Sequence, residues 1–433
     1  MSAVLFRNVR VFDGTSEDLS TQQDVIVEEN KITNIGVDLD AGDAQIIDGA
    51  GRTLMPGLID NHTHLEMCGA SLAEMETSMT WEDLAMGGVA NARLYLHEGF
   101  TTVRDMGGAN GGIQRAIDGG LIEGPRVYPS GAFIGGRGGH ADFAPYSSQP
   151  DHKTQMELLN IARVCSGPDE VLLAARNNFR MGASQLKIMQ TGGVASEFDP
   201  WQLNGMTAAE IAAAVEVADA YQSYVGAHSY SSDAMVRALD AGVRSIEHGF
   251  MFNDEVNEKM REKGAFITTN LTAFSPELAN VGAVQNPRSA RKLKSAQAAF
   301  KDYIDNVRRL KPKRGFQTDA VGPASVNAAQ IGHEKWLGGQ FFGNHETLVS
   351  LTSVGGEIAE MSGPVMNPYP EGKLGVVEEG AYADLLLIDG NPLEDLSVIG
   401  AVEQWFGAPP RDGVETMRII MKNGVIYKNT LGA

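Results

Sequence analysis

The sequence has little of what several classes of protein require. Only two of its 433 residues are cysteines, Cys68 and Cys165, which excludes a disulfide scaffold and fits a reducing compartment. No run of about 18 apolar residues occurs, and the first residues lack a basic segment followed by an apolar one. We therefore expect no membrane span and no secretory signal, and the cytoplasm is the expected location.

Basic residues are scarce relative to acidic ones. The chain has 35 Lys and Arg residues against 55 Asp and Glu residues, which gives a formal net charge of −20. This surplus of negative charge repels polyanions, so it excludes nucleic acid and anionic membranes as main partners. Glycine, by contrast, is abundant at 50 residues. Its abundance predicts tight turns or close approaches of the backbone to a ligand.

The middle of the chain alternates strand-like and helix-like segments. The strand-like runs cover residues 58–62, 101–105, 126–130, 185–189, 224–227, 244–247, 266–269 and 315–318. Eight strand–helix units are the number found in a TIM barrel. The predicted fold class is therefore α/β, with a (β/α)8 TIM barrel over residues 58–363. Thr207 and Glu210 form a capping-box pattern, which predicts the start of one of its helices.

Both ends of the chain alternate apolar and polar residues with a period of two. Runs within 4–35 are matched much later by runs within 383–427, and turn residues separate the runs in both regions. This pattern predicts antiparallel strands. We therefore expect residues 1–57 and 364–433 to form a small β-sandwich domain together, outside the barrel.

Two histidines end the first predicted barrel strand. His62 and His64 are two residues apart, and side chains at i and i+2 of a strand face the same way. Both imidazoles are therefore expected at the mouth of the barrel, close enough to hold one metal ion. A lone His-X-His pair also fits two surface histidines, but the buried strand before this pair favours the metal site.

Lys187 lies inside the apolar run of the fourth predicted strand. Because a free ammonium there is costly, the lysine either points to solvent, pairs with an acid, or reacts with carbon dioxide to form a carbamate. Burial and nearby cations lower the pKa of the amine, which favours the neutral nucleophile. A carbamate offers two anionic oxygens, which can bridge two cations.

Three more residues of the metal-binding types end later strands. His228 and His248 end the fifth and sixth strands, and Asp319 ends the eighth, where capping of a helix is its alternative role. Taken singly, each of them is more often structural. Together with the three residues above, they occupy five strand ends on the rim where TIM-barrel active sites lie. A two-metal site explains all six.

Longer stretches around these residues resemble the metal-dependent amidohydrolase superfamily, nearly from end to end. The stretches are residues 55–64, 186–193, 227–230, 246–249, 318–320, 380–392 and 421–424. The chain looks most similar to the group of prolidases, Xaa-amino-acid carboxypeptidases and ochratoxin-hydrolysing amidohydrolases, which is close to imidazolonepropionase-like proteins. True imidazolonepropionases and the deaminases usually bind one metal and lack the lysine, so Lys187 favours the binuclear branch.

The resemblance implies a role for each of the six residues. The two histidines of strand one would hold the more buried metal, and those of strands five and six the more exposed one. Carbamylated Lys187 would bridge the metals, and Asp319 would join them from strand eight. Zinc suits these imidazole and carboxylate-type ligands, with manganese or cobalt as substitutes. The resemblance also implies a homo-oligomer.

The activity implied is hydrolysis of a peptide-like amide bond in a small molecule. The metals would generate hydroxide from water, and this hydroxide would attack a dipeptide or an N-acyl amino acid with a free carboxylate. Asp319 would take the proton and deliver it to the leaving nitrogen. The alternative substrates are a lactone, a cyclic amide or a mycotoxin amide such as ochratoxin. The alternative class is a non-catalytic amidohydrolase-like assembly protein.

Two further residues are candidates for contacting substrate. His140 follows the glycine-rich loop 135–139, and Tyr230 lies two residues after His228. In the resembling group, equivalent residues contact the scissile carbonyl or the substrate carboxylate, and donors there would stabilise the developing oxyanion. The alternative for each is a hydrogen bond that only shapes a loop.

Two charged features have structural interpretations. The neighbours Arg104 and Asp105 are expected to form a structural pair at the end of strand two, with anchoring of a substrate carboxylate as the alternative role. Residues 288–314 contain ten basic and only two acidic residues, with apolar positions recurring every three or four. This spacing predicts an amphipathic helix with a solvated basic face, and a docking patch for an acidic partner is the alternative.

Overall fold

The computed structural model describes residues 3–149, 152–196, 198–281, 284, 286–409 and 411–432. The strands are β1 (Val4–Val11), β2 (Gln23–Glu28), β3 (Lys31–Gly36), β4 (Gln45–Asp48), β5 (Thr53–Pro56), β6 (Leu58–Thr63), β7 (Phe100–Asp105), β8 (Arg126–Pro129), β9 (Phe133–Gly136), β10 (Ala162–Cys165), β11 (Leu186–Met189), β12 (Val225–Ser229), β13 (Ser245–His248), β14 (Phe266–Thr268), β15 (Arg314–Gly315), β16 (Leu385–Ile388), β17 (Met417–Lys422) and β18 (Val425–Asn429).

The α-helices are α1 (Leu72–Thr77), α2 (Trp81–His97), α3 (Gly111–Asp118), α4 (Gln155–Leu158), α5 (Pro168–Arg180), α6 (Ala208–Ala220), α7 (Ser232–Asp240), α8 (Asp254–Lys263), α9 (Pro287–Ala299), α10 (Tyr303–Leu310), α11 (Ala324–Phe342), α12 (Asn344–Leu351), α13 (Ser353–Glu360) and α14 (Gly363–Met366). Short 3₁₀ helices cover Leu271–Phe274, Pro276–Asn280 and Leu396–Ile399. In the part of the chain described, no helix is long and apolar enough to cross a membrane.

The strands of the middle region are parallel, and helices lie between most of them in the sequence. β6, β7 and β8 form one sheet, and a second sheet has the order β10-β9-β11-β12-β13-β14-β15. After β15, the carbonyl of Phe316 accepts a hydrogen bond from the amide of Asn61 at 2.9 Å, and the amide of Asp319 donates to the carbonyl of His62 at 3.0 Å. The α/β fold class is therefore confirmed, and the last strand segment lies beside the first.

The third predicted strand is interrupted. Its residues form β8, and a second strand, β9, begins shortly afterwards. Gly131 lies between them, with a φ of +71° that is unfavourable for a residue with a side chain. Asn178 of α5 holds the break, because its amide nitrogen donates to the carbonyl of Ala132 at 2.7 Å and its side-chain oxygen accepts from the amide of Ala132 at 3.3 Å. The interruption shifts β9 into the second sheet, where it pairs with β10 and β11.

Strands from the two ends of the chain share one sheet. Its order is β18-β17-β16-β5-β1-β2-β3, with β4 also paired to β1. Leu385 of β16 lies opposite Pro56 of β5, in an antiparallel register. A buried ion pair between Arg126 of β8 and Asp384, at 2.9 Å, connects this sheet to the parallel strands.

Two helix predictions have different outcomes. The capping box is confirmed, because the Thr207 hydroxyl accepts from the amide of Glu210 at the start of α6. The single helix over residues 288–314 is wrong, since the segment forms α9 and α10 with a turn between them. The turn follows Phe300, which is buried, and Tyr303 then donates a hydrogen bond to Thr269 at 2.6 Å. These two inward side chains fix α9 and α10 separately.

Candidate active site

Two histidines from β6 and the following loop meet a carboxylate from the segment after β15. Asp319 Oδ1 lies 3.2 Å from His64 Nε2 and 3.5 Å from His62 Nε2. One ligand atom from each of the three residues lies within 4.8 Å of the others. Imidazole nitrogen and carboxylate oxygen are the donors that zinc and similar divalent metals bind, so this group fits a metal ion.

The other two candidate histidines lie next to this group. The ring of His248, at the end of β13, is 5.2 Å from the ring of His62 and 4.5 Å from that of His228 on β12. His248 Nδ1 is 3.8 Å from Asp319 Oδ2. The structure therefore brings together the four histidines and the aspartate predicted from the sequence.

Lys187 is fully buried beneath the histidines. Its Nζ lies 3.2 Å from His62 Nε2, and burial lowers the pKa of the amine to about 8. The lysine therefore does not point to solvent. Within the described part of the chain, no carboxylate oxygen lies within ion-pair distance of Nζ. Pairing with an acid is thus also wrong, and the amine faces the candidate metal ligands directly.

Glu247 orients the ring of His62, a role that is not among those predicted from the sequence. Its Oε2 is 2.9 Å from His62 Nδ1, and the guanidinium of Arg104 donates to both of its oxygens at 2.9 and 2.8 Å. The expected pair of Arg104 with Asp105 is therefore wrong, because the partner of Arg104 lies six strands later in the chain. A buried glutamate directly before a candidate ligand histidine was the available signal.

Asp105 instead holds the loops that carry His64. Its carboxylate accepts the amide N–H of Leu65 at 2.7 Å and that of Gly107 at 3.0 Å. The carbonyl of Gly107 is in turn 3.0 Å from His64 Nδ1. If Nδ1 donates to this carbonyl, the neutral ring offers the Nε2 lone pair to a metal ion, whereas the protonated ring of the metal-free protein donates from Nε2 to Asp319.

The remaining histidines are oriented in a similar way. His228 Nε2 lies 3.2 Å from the carbonyl of Gly192, and His248 Nδ1 lies 3.0 Å from the Asn270 side-chain oxygen. Hydrogen bonds of this kind fix ring orientation and tautomer in metal sites. One nitrogen of each ring is thus held by the protein, and the other remains for a ligand.

Burial and neighbouring charges set the protonation states needed for metal binding. Burial lowers the pKa values of His62 and His228 well below their usual range and that of His248 to about 4. Burial alone would raise the pKa of Asp319, but the hydrogen bond from His64 and the adjacent imidazoles hold it below its usual range. Neutral imidazoles and an ionised carboxylate are the forms that bind metals.

Two of the candidate ligands have strained backbones. His248 has a φ of +71° and Asp319 a φ of +52°, in a region that residues with side chains seldom adopt. Such strain costs of order 1–3 kcal/mol per residue and concentrates at functional sites. The cost indicates that the surrounding structure holds both side chains in place for a purpose other than stability.

The two candidate substrate contacts lie beside the histidines. The ring of His140 is 4.4 Å from that of His228, and the ring of Tyr230 is 4.7 Å from His228 on another side. Burial raises the pKa of the Tyr230 hydroxyl, so this hydroxyl stays protonated and available as a donor. A side chain at Gly193 would clash with His140, because its Cβ would lie 2.1 Å from the ring. The lack of a side chain at Gly193 thus makes room for the imidazole of His140.

Basic helix α9 packs against the same loop. The Lys292 ammonium donates to the carbonyls of Gly193 and Asp199 at 2.8 and 2.9 Å, and to that of Ser196. Leu293 and Phe300 face the interior beside Tyr230 and Phe250. The prediction of a uniformly solvated basic face is therefore wrong for Lys292, which supports the loop over the site.

Parallel strands with helices between them, and a histidine-rich candidate metal site at their carboxyl ends, define a class of α/β hydrolytic enzymes. Residues 53–338 match the model of the amidohydrolase family, and the chain belongs to this family. Its members are typically metal-dependent. The protein is therefore a hydrolytic enzyme, and it acts on a small molecule.

Individual relatives support the same assignment. The chain is 33% identical to a prolidase whose structure is a complex with N-methylphosphonate-L-proline. The alignment covers 99% of this chain and 100% of the prolidase, with a TM-score of 0.86. A Xaa-Pro dipeptidase with bound methionine is 27% identical, with coverages of 99% and 100% and a TM-score of 0.81. Ochratoxinase from Aspergillus niger is 27% identical, covering 80% of this chain and 72% of its own. These neighbours support hydrolysis of amide bonds.

Proposed function

We propose that the protein is a binuclear metal-dependent hydrolase that cleaves a dipeptide or an N-acyl amino acid with a free carboxylate. One observation carries this proposal. The amine of Lys187 is fully buried, 3.2 Å from His62 Nε2, and outside ion-pair distance of every described carboxylate. The charges of Glu247 and Asp319 act on this amine only from beyond ion-pair distance, so a buried ammonium among candidate metal ligands is costly, whereas a carbamate there would bridge two cations.

The carbamate would form by addition of the neutral amine to carbon dioxide. The nitrogen forms a bond to the carbon and one proton is released, which leaves a carbamate with a single negative charge. The lowered pKa of Lys187, about 8, leaves part of the amine neutral near pH 7. The anion would then offset the positive charge of two divalent cations, for which zinc is the proposed identity.

The candidate ligands divide into two groups. His62 and His64 would hold one metal, His228 and His248 the other, with the carbamate between them and Asp319 adjoining both. When bound, the cations supply Lewis acidity, which lowers the pKa of water and polarises a carbonyl oxygen. This division is the one that the family resemblance implies, and the ring distances of 5.1 Å within the first pair and 4.5 Å within the second allow it.

The protein's own groups would orient the substrate and move the proton. Asp319, ionised and held by His64, accepts the proton of the attacking water and delivers it to the leaving nitrogen, a role worth about 10²–10⁴ in rate. Tyr230 and His140 would donate hydrogen bonds to the developing oxyanion or the substrate carboxylate. Both rings contact that of His228, at 4.4 and 4.7 Å between centroids, which places both side chains beside the candidate metal ligands.

We also propose that the parallel strands close into an eight-stranded TIM barrel over residues 58–363. The hydrogen bonds of Asn61 with Phe316 and of His62 with Asp319 support closure between the last and first strands. Residues 1–57 and 364–433 would then form the smaller β-sandwich domain, which the mixed sheet of both chain ends supports.

A mycotoxin amide is the second candidate substrate. The relationship to ochratoxinase and an apolar cavity beside Tyr230 favour it over a lactone or a cyclic amide. The non-catalytic assembly alternative is set aside, because the chain belongs to a family of hydrolases and retains all six candidate ligands.

Metal analysis and an Asp319 variant test the proposal together. Protein prepared with zinc is expected to contain two equivalents per chain and to hydrolyse members of a dipeptide and N-acyl amino acid library. Asp319→Asn should lower kcat by about 10²–10⁴, while Asp305→Asn, at an 87% exposed side chain, should leave it unchanged. Well under one metal per chain, or full activity of Asp319→Asn, would contradict the proposal.

A further inference from the structure

An apolar cavity opens directly beside the candidate metal centre. Tyr230 forms the boundary, since its ring lies 4.7 Å from that of His228 on one side and 4.9 Å from that of Phe250 on the other. Phe250 stacks on Phe300 at 4.2 Å, and Leu293 of α9 completes this wall. The cavity therefore begins where the scissile amide would lie and extends away over aromatic rings.

Charge is nearly absent from the cavity. Among the lining residues that the structure describes, Asp319 alone is charged, and it faces the histidines at the mouth. Two polar groups in the lining are already engaged, since Asn270 accepts from His248 and Gln330 donates to the carbonyl of Thr318, whereas the buried indole N–H of Trp405 has no partner among the described residues. A charged substrate group in the interior would lose its hydration and would meet no side chain of opposite charge, which is strongly unfavourable.

We propose that one residue flanking the scissile amide carries a bulky, uncharged apolar side chain, and that Phe250, Leu293 and Phe300 select it. The inference rests on the proposed amide hydrolysis and specifies its substrate class. Leucine, methionine and phenylalanine side chains fit the cavity. Lysine, arginine, aspartate and glutamate side chains do not.

Helix α9 then takes part in substrate selection, although its composition is mainly basic. Lys292 ties the helix to the loop of Gly193 and Ser196, while the next residue, Leu293, faces the cavity. The same turn of helix thus positions the loop beside His140 and forms part of the specificity wall. Changes on the inward face of α9 should alter which substrate is cleaved, rather than whether cleavage occurs.

Two dipeptide series test the assignment with the metal-loaded enzyme. In Gly-Xaa and Xaa-Gly, Xaa is Gly, Leu, Phe, Lys or Asp, so each side of the amide is sampled. In one series kcat/KM should be about tenfold or more higher for the Leu and Phe substrates than for the Gly substrate. In the same series kcat/KM for the Lys and Asp substrates should be lower than for the Leu substrate by a similar factor. Equal rates in both series, or a preference for a charged side chain, would overturn the proposal.

A charge introduced into the wall provides the decisive variant. Leu293→Glu should raise the ratio of kcat/KM for Lys over Leu by about tenfold or more, a change of specificity that partial unfolding does not produce. Leu121→Glu, at an 81% exposed position, is the matched control and should leave the ratio unchanged. Phe300→Leu is a milder variant that should reduce the preference for Phe relative to Leu. An unchanged ratio in a folded Leu293→Glu variant would show that Leu293 does not select the substrate side chain.

Failure of the proposed function gives a different result. If no dipeptide is hydrolysed although two metals are bound, amide hydrolysis itself is wrong. Calorimetry with non-hydrolysed phosphonate analogues of N-acetyl-leucine and N-acetyl-lysine still tests the cavity, because it measures binding alone. Tighter binding of the leucine analogue supports the assignment, and equal or tighter binding of the lysine analogue contradicts it.

Discussion

His140 Nδ1 lies 3.1 Å from Asp199 Oδ2, so a carboxylate orients the imidazole beside the candidate metal centre. The same oxygen of Asp199 accepts the amide N–H of Gly193 at 2.8 Å. Burial alone would raise the pKa of Asp199, but the charge and hydrogen bond of His140 hold it below its usual range. When Nδ1 donates to ionised Asp199, donation from His140 to substrate uses the Nε2–H of the doubly protonated ring.

Asp199→Asn should therefore reduce activity without loss of the fold. We expect kcat/KM to fall by about 10–100-fold, the range seen when a group that orients an active-site histidine is removed. The fall should lie mainly in kcat, because the imidazole is misoriented toward the reacting carbonyl. Steady-state kinetics and the melting temperature measure the two effects. Ser196→Ala removes a neutral bond to the same nitrogen, at 2.9 Å, and should cost less.

Lys187→Ala should remove metal as well as activity. The variant lacks the amine that would bridge the cations, so metal analysis is expected to give fewer than two equivalents per chain. Short carboxylates such as acetate should restore part of the metal content, since they replace the bridging oxygens.

The control for this variant is a second buried lysine. Lys335 is fully buried and donates to the carbonyls of Glu98 and Ile399 at 3.1 and 2.8 Å, away from the histidines. Lys335→Met should lower stability but leave two metals bound. If Lys187→Ala also binds two metals normally, there is no carbamate bridge.

Glu247→Gln should destabilise the protein through Arg104. The guanidinium is buried and pairs with Glu247 at 2.8 Å, so the variant leaves an uncompensated charge. Breaking such a buried pair costs about 3–5 kcal/mol of unfolding free energy. Urea denaturation measures this cost. Asp254→Asn breaks the exposed pair with Arg309 and should cost far less, because water screens that pair. If both variants lose a similarly small free energy of unfolding, burial does not strengthen the effect of breaking the Arg104–Glu247 pair.

The interaction between His64 and Asp319 in the metal-free protein should contribute less stability as pH rises above neutrality. Burial lowers the pKa of His64, but the hydrogen bond and charge of Asp319 raise it above its usual 6.5. The folded state therefore binds this proton more tightly than the unfolded state. Its stabilisation is complete below pH 6.5 and disappears as pH rises through the folded pKa.

Urea unfolding of chelator-treated protein from about pH 6 to about pH 9 checks this sign. The free-energy difference between wild type and Asp319→Asn should shrink as pH rises, because the variant lacks the partner of His64. A constant difference across this range would show that the pair does not set the pKa.

The grouping of the six candidate ligands was predictable because each lies within or just after a predicted strand with strong apolar patterning. The rim of a parallel α/β fold brings such strand ends together, so the grouping of His62, Lys187 and Asp319 followed from topology. Thr207 was predictable for a local reason, since a capping box involves residues three apart. In both cases the informative pattern lies in a short stretch of sequence.

Other features depend on partners that are distant in sequence. Arg104 pairs with Glu247 rather than with its neighbour Asp105, and nothing within β7 specifies that choice. Asn178 interrupts the third strand from a helix some 46 residues away. Lys292 gives no local sign that it supports the loop at Gly193, because a basic helix normally has its charges in solvent.

The sheet shared by both ends of the chain constrains the order of events during synthesis. β1 and β5 emerge early from the ribosome, yet β16, which pairs with β5, follows more than 300 residues later. Until then, the edge of β5 has unpaired backbone groups, which are a known hazard for aggregation. Loss of β16 to β18 by truncation should therefore expose this edge and yield insoluble protein, even though it leaves all six candidate ligands intact.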